Sequence, residues 1–256
     1  MSVSSETFLG PLPAVEENLM TPVLILALEL VVLYSCGSYA MSRLAAWGFG
    51  SGPGKAAFYL LVLPGVALHE TAHYLACLVT GTRVGRFVPF SPKSSPDGQL
   101  RLGYVRHQRR SATVTAFIGL APVVLNPMGV LLVTVLLTPL TLTEVVDPRL
   151  DVFEERIFSS RFLIESTGVA AVWVYLAFSF ALGSVPSRED LSSVPAALLL
   201  FAVGVLALSS LQEGSEDALL LSLNEFSTLV LGIYALPAAV AATAALLAGF
   251  WSERWR

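Results

Sequence analysis

Charge is what this 256-residue sequence lacks most: Asp, Glu, Lys and Arg make up 13% of it, against about 25% in an average soluble domain. That scarcity argues against a soluble enzyme with a solvated, charged surface. Nor is there a basic excess, since 15 Lys and Arg stand against 19 Asp and Glu. Without a positive field, nucleic acid is not an expected partner. Only two cysteines occur, Cys36 and Cys77, both within apolar runs, so neither a disulfide framework nor a four-thiolate metal site is suggested. Histidine is equally scarce, with three in the whole chain.

Hydrocarbon is what the chain has in abundance. Hydrophobic residues make up 55% of it and the mean hydropathy is +0.72. Six apolar stretches stand out: Pro22–Met41, Ala57–Thr80, Ala112–Leu137, Thr167–Gly183, Val194–Leu211 and Leu229–Trp251. Each approaches or exceeds the roughly 20 residues that cross a bilayer as a helix. The expected fold is an all-α, multi-pass membrane protein with about six transmembrane helices, forming a single polytopic domain over residues 1–256. Three Glu and no Lys or Arg precede Pro22, so the first stretch lacks the positive start of a secretory signal and is expected to be retained.

Orientation follows from Lys and Arg, which favour the cytoplasmic side. With the N-terminus inside, the inner regions hold Arg83, Arg86, Lys93, Arg101, Arg106, Arg109, Arg110, Arg188, Arg254 and Arg256. The outer regions hold half as many: Arg43, Lys55, Arg149, Arg156 and Arg161. Both termini are therefore expected in the cytoplasm.

The inner loop Gly81–Ser111 has its own pattern. Extended runs at Arg83–Phe90 and Gln99–Val105 flank Ser95-Pro96-Asp97-Gly98, a turn sequence, so a small β-hairpin is expected here. Leu100, Leu102 and Tyr104 alternate on its second arm and predict one apolar face.

The second stretch contains His69-Glu70-Thr71-Ala72-His73. On a helix, a spacing of four sets both imidazoles on one face, where they can reach one metal ion, and Glu70 beside them can act on a bound water. The chance of this pattern arising somewhere in such a composition is about two in a thousand, a risk any short motif carries. Three ionisable groups in five positions of an apolar segment are costly and mark a polar cavity or a partner. The bland alternative is that these histidines hydrogen-bond neighbouring helices without metal. Two imidazoles favour zinc over magnesium or calcium, although iron and cobalt share that ligand preference.

A catalytic zinc site takes a third protein ligand and keeps one position open. His107, Glu165, Glu189, Asp190, Glu225 and Glu29 are the candidates. His73 lies roughly 10 Å from the inner end of its helix at Thr80, at 1.5 Å per residue. The third ligand is therefore sought on the inner side, which leaves Asp190 or Glu189 in the turn Pro186-Ser187-Arg188-Glu189-Asp190, with His107 behind them. Glu29, a carboxylate within the first stretch, receives no role. Asp97-Gly98 is explained by a hairpin turn.

In this order of elements the chain resembles the site-2-protease family of intramembrane zinc metalloproteases. His69-Glu70-Thr71-Ala72-His73 is followed by Gly119-Leu120-Ala121-Pro122-Val123-Val124-Leu125-Asn126-Pro127, similar to that family's small-residue stretch ending in Asn. Pro186-Ser187-Arg188-Glu189-Asp190 then stands where the family has its acidic ligand, with Leu191 in place of the usual Gly. The resemblance covers about residues 57–211 and leaves the spans 22–41 and 229–251 outside it. It implies zinc held by His69, His73 and Asp190, Glu70 as general base, and Asn126 near the substrate or the oxyanion. It also implies a transmembrane protein substrate and a site opening on the cytosolic side. For Asn126 the plain alternative is a hydrogen bond that packs helices together. The competing classes are a transporter or channel that passes metal or protons through the His/Glu cluster, and a catalytically inactive scaffold.

Overall fold

The computed structural model describes residues 20–49, 52–94, 100–146, 157, 162, 166–187, 190, 232–247 and 249–250. Within them the chain is mostly helical, with a small antiparallel sheet region between two long helices. The elements in chain order are α1 (Met20–Phe49), α2 (Gly52–Val79), β1 (Val84–Val88), β2 (Lys93–Ser94), β3 (Leu100–Arg101), β4 (Tyr104–His107), α3 (Ala112–Leu137), α4 (Leu142–Val145), α5 (Thr167–Gly183) and α6 (Gly232–Leu247). Helices α2 and α3 are long and apolar enough to cross a membrane, while α5 and α6 are apolar and shorter. The expected spans Ala112–Leu137 and Thr167–Gly183 coincide with α3 and α5. The stretch Val194–Leu211 and the turn Ser95–Gly98 lie outside the described residues.

Helices α2, α3 and α5 pack on one another and form the frame of the molecule. Small residues let α2 and α5 approach: a Cβ on Gly65 would collide with the backbone carbonyl of Ser179, and one on Gly183 with the Asn126 amide. The Gly65 N–H donates to Ser179 Oγ at 2.8 Å across the same crossing. Toward the far end, the buried Trp173 indole donates to Thr134 Oγ1 at 3.0 Å, tying α5 to α3 beside the cluster of Val130, Leu131, Ala177 and Leu236. Helix α1 joins through Leu33, which packs with Tyr234, Ala238 and Ala241 of α6.

Proline inside a helix removes an N–H and strands the carbonyl four residues earlier, which in an apolar setting must find another donor. Pro64 in α2 strands Leu60 O, and the Tyr175 hydroxyl of α5 donates to it at 2.7 Å. Pro127 in α3 strands Val123 O, and the Tyr234 hydroxyl of α6 donates to it at 2.8 Å. Each proline thus makes a bond between helices out of one that its own helix lost.

The sheet region matches the expected hairpin. Strand β1 pairs with β4 through Phe87 opposite Val105 and Val88 opposite Tyr104, and β2 pairs with β3 through Lys93 opposite Arg101. Val84 and Val105 pack on Ala76, Cys77 and Ile118, near the end of α2 and the start of α3. Phe90, Leu100 and Leu102 lie against Phe58, Val62 and Val66, so the hairpin runs back along α2. One expectation needs correcting: Tyr104 does not continue the face of Leu100 and Leu102. Leu102 and Gly103 lie between the two short ladders, and the alternation is broken there. The guanidinium groups of Arg86, Arg101 and Arg106 surround the Tyr104 ring at 5.8, 5.9 and 5.4 Å.

Candidate metal centre

Both motif histidines stand on α2 with their rings 4.8 Å apart, as the spacing of four requires. His69 Nδ1 donates to Gly183 O at 2.8 Å, and His73 Nδ1 donates to Ile118 O at 2.8 Å. A carbonyl only accepts, so each Nδ1 carries the proton, and a neutral ring then keeps its lone pair on Nε2. Gly183 O is available because α5 ends there, and the last carbonyls of a helix have no partner within it.

The third group arrives from the turn after α5. Ser187 N–H donates to Asp190 Oδ2 at 2.8 Å and Asp190 N–H donates to Ser187 Oγ at 3.2 Å. This reciprocal pair holds the carboxylate over α2. Asp190 Oδ2 lies 3.6 Å from His69 Nε2, Oδ1 lies 3.4 Å from His73 Nε2, and the two Nε2 atoms are 3.2 Å apart. His73 is 9% and Asp190 8% exposed, so little water reaches these donors.

Three lone-pair donors converging in a buried place repel one another unless something positive lies between them. A proton on one ring satisfies one contact at a time, whereas a divalent cation satisfies all three. The spacing fits that cation: bonds of 2.0–2.1 Å in a tetrahedron separate neighbouring donors by about 3.3 Å. His69, His73 and Asp190 could therefore hold a metal ion, and their chemistry, two imidazoles and one carboxylate, suits zinc.

Of the other candidates, His107 is not one of the converging donors. Its Nδ1 is 3.0 Å from Gln108 O, and the residue lines an open cleft of about 420 Å³ together with Arg83 and Arg106. Glu29 is on α1 with Oε2 buried and unpartnered, also outside the cluster. Glu165, Glu189 and Glu225 lie outside the described residues.

Glu70 is buried on α2 at 9% exposure. The hairpin covers it at Gly103, where a Cβ would come within 2.6 Å of Glu70 Cγ and 2.9 Å of Pro89 O. Only glycine at this point between β3 and β4 leaves room for the Glu70 side chain. Asn126 is fully buried where three helices meet. Its Nδ2 donates to Gly65 O at 3.1 Å and to Phe180 O at 3.3 Å, while Oδ1 is buried without a partner. The carbonyls of Ile118 and Gly183 and the gap above Gly103 were not identified from sequence. The available signals were Pro122 four residues after Ile118, Pro186 just beyond α5, and a glycine between two apolar hairpin positions.

No protein-family model, curated protein or solved structure matches this chain.

Proposed function

We propose that this chain is an integral-membrane zinc metalloprotease that cleaves membrane-embedded or membrane-proximal protein segments. The observation that carries the proposal is the convergence of His69 Nε2, His73 Nε2 and Asp190 around one point, with both imidazoles oriented by carbonyls behind them. The order of motifs, similar to the site-2-protease family, supports the same reading. So do two helices of spanning length and the Arg-rich loop that follows α2, which favours a cytosolic site with both termini inside.

Zinc bound to these three residues would polarise the scissile carbonyl and make water acidic enough to attack near neutral pH. Glu70 takes a proton from the attacking water and delivers it to the departing amide nitrogen, so the C–N bond is replaced by a carboxylate and an amine. Its place under Gly103 shields it from bulk water and keeps it beside His69. Asp190 is held to its task by Ser187. Asn126 is fully buried and commits its amide hydrogens to carbonyls of two neighbouring helices, which favours the helix-packing role over contact with a substrate. A transmembrane substrate must unwind before water can reach its backbone, and the hairpin offers an extended segment an edge to pair with.

The test is Glu70→Gln in detergent-purified protein mixed with a transmembrane substrate. A base that is not a ligand predicts unchanged zinc content and loss of cleavage by at least 10²-fold. Metal passage across vesicles that survives the change, with no proteolysis in either form, would move the protein to the transporter class.

A further inference from the structure

Helices α2 and α3 carry three interior prolines, Pro64, Pro122 and Pro127. The carbonyls stranded by Pro64 and Pro127 go to tyrosine hydroxyls, Leu60 O to Tyr175 and Val123 O to Tyr234. The carbonyl four residues before Pro122 is Ile118 O, and it goes to His73 Nδ1 at 2.8 Å. Of these three, Pro122 alone reaches a side chain of the metal cluster in this way.

We propose that Pro122 is a positioning residue for the metal centre: by withholding an N–H from Ile118 O it reserves that carbonyl for His73 and so fixes Nε2 as the atom turned toward the metal. The proposal rests on the metal-centre reading above, not on proteolysis. In an uninterrupted α3, residue 122 would donate to Ile118 O along the helix axis. His73 Nδ1–H would then compete with a helical N–H for the same carbonyl, a weaker partner than one left to it alone. A neutral imidazole carries its proton on either nitrogen, and the partner of one decides the state of the other. Weakening the Ile118 bond lets the proton move to Nε2, where it blocks coordination. The rotation of the ring also loosens, because the carbonyl behind it is its fixed point.

The partners of the stranded carbonyls make the expected effect specific rather than general. Pro122 and Pro127 are both fully buried in α3, and both strand a carbonyl that another helix's side chain takes up. They differ in which side chain that is. Replacing either restores one helical hydrogen bond in the same element, and only one of the two replacements touches a metal-facing ring.

The experiment compares wild type with Pro122→Ala, Pro127→Ala and Pro64→Ala, each purified as the full chain in detergent. Zinc affinity is read by competition with a chromophoric chelator. The protonated ring nitrogen of His73 is read by nitrogen NMR on metal-free, histidine-labelled protein. We expect Pro122→Ala to weaken zinc binding by 10–100-fold, the range found when the partner of a ligating histidine is removed. We also expect it to shift the His73 proton toward Nε2. Pro127→Ala and Pro64→Ala should leave both readings as in wild type. Pro122→Val restores the same N–H with a larger side chain and must reproduce the effect, so a packing defect particular to alanine is recognised. Equal zinc affinity and an unchanged tautomer in Pro122→Ala would overturn the proposal, as would an equal loss in all three variants. If no form binds zinc, the metal-centre reading fails, and the tautomer comparison still decides the role of Pro122.

Discussion

The Nε2 atoms of His69 and His73 face each other at 3.2 Å, each with its Nδ1 proton given to a carbonyl of a different helix. That relationship joins α2 to both α3 and α5 through the two residues that would hold the metal. Any change that separates these helices is felt at the cluster, and the packing of the frame is part of the site.

Gly103 provides a direct test of the hairpin's part. Alanine there would press on Glu70 Cγ and on the carbonyls of Val88 and Pro89, so either Glu70 or the segment around Gly103 must move. We expect Gly103→Ala to retain its full zinc content while cleavage falls by about 10²-fold, since a shift of about 1 Å at a reacting group costs that much. Loss of zinc together with activity would show that the hairpin supports the ligands rather than the base.

The proline and tyrosine pairs predict a coupling that packing alone does not. Tyr175→Phe leaves Leu60 O without a donor, at a cost of about 0.5–2 kcal/mol in an apolar environment. In a Pro64→Ala background the restored N–H takes Leu60 O, and the same Tyr175→Phe change should cost much less. Unfolding in mixed detergent micelles on the four forms gives the cycle. Additive effects would mean that the hydroxyl matters for reasons other than the stranded carbonyl.

Much of the frame was legible because a long apolar run reads as a helix, although α1 continues to Phe49, well past the expected run Pro22–Met41. The bounds of α3 and α5 coincide with runs visible in the sequence, whereas α2 begins five residues before its apolar run because Gly52-Pro53-Gly54-Lys55-Ala56 continue the helix. The pairing of His69 with His73 was legible from helical spacing. Asp190 could be ranked beside Glu189 from topology, but its selection depends on the Ser187 turn, a three-dimensional arrangement. The orientation of the rings was not legible, because it depends on backbone carbonyls, which carry no residue-specific signal. Strict alternation predicts Tyr104 on the apolar face, but the ladder is interrupted at Leu102 and Gly103.

The most direct measurement is zinc per chain in detergent-purified protein, comparing wild type with His73→Ala and Asp190→Ala. The account predicts about one zinc in wild type and its loss in both variants, because a catalytic site built on three protein ligands does not survive the removal of one. Absence of zinc from wild type even after supplementation, or full retention in Asp190→Ala, would contradict it.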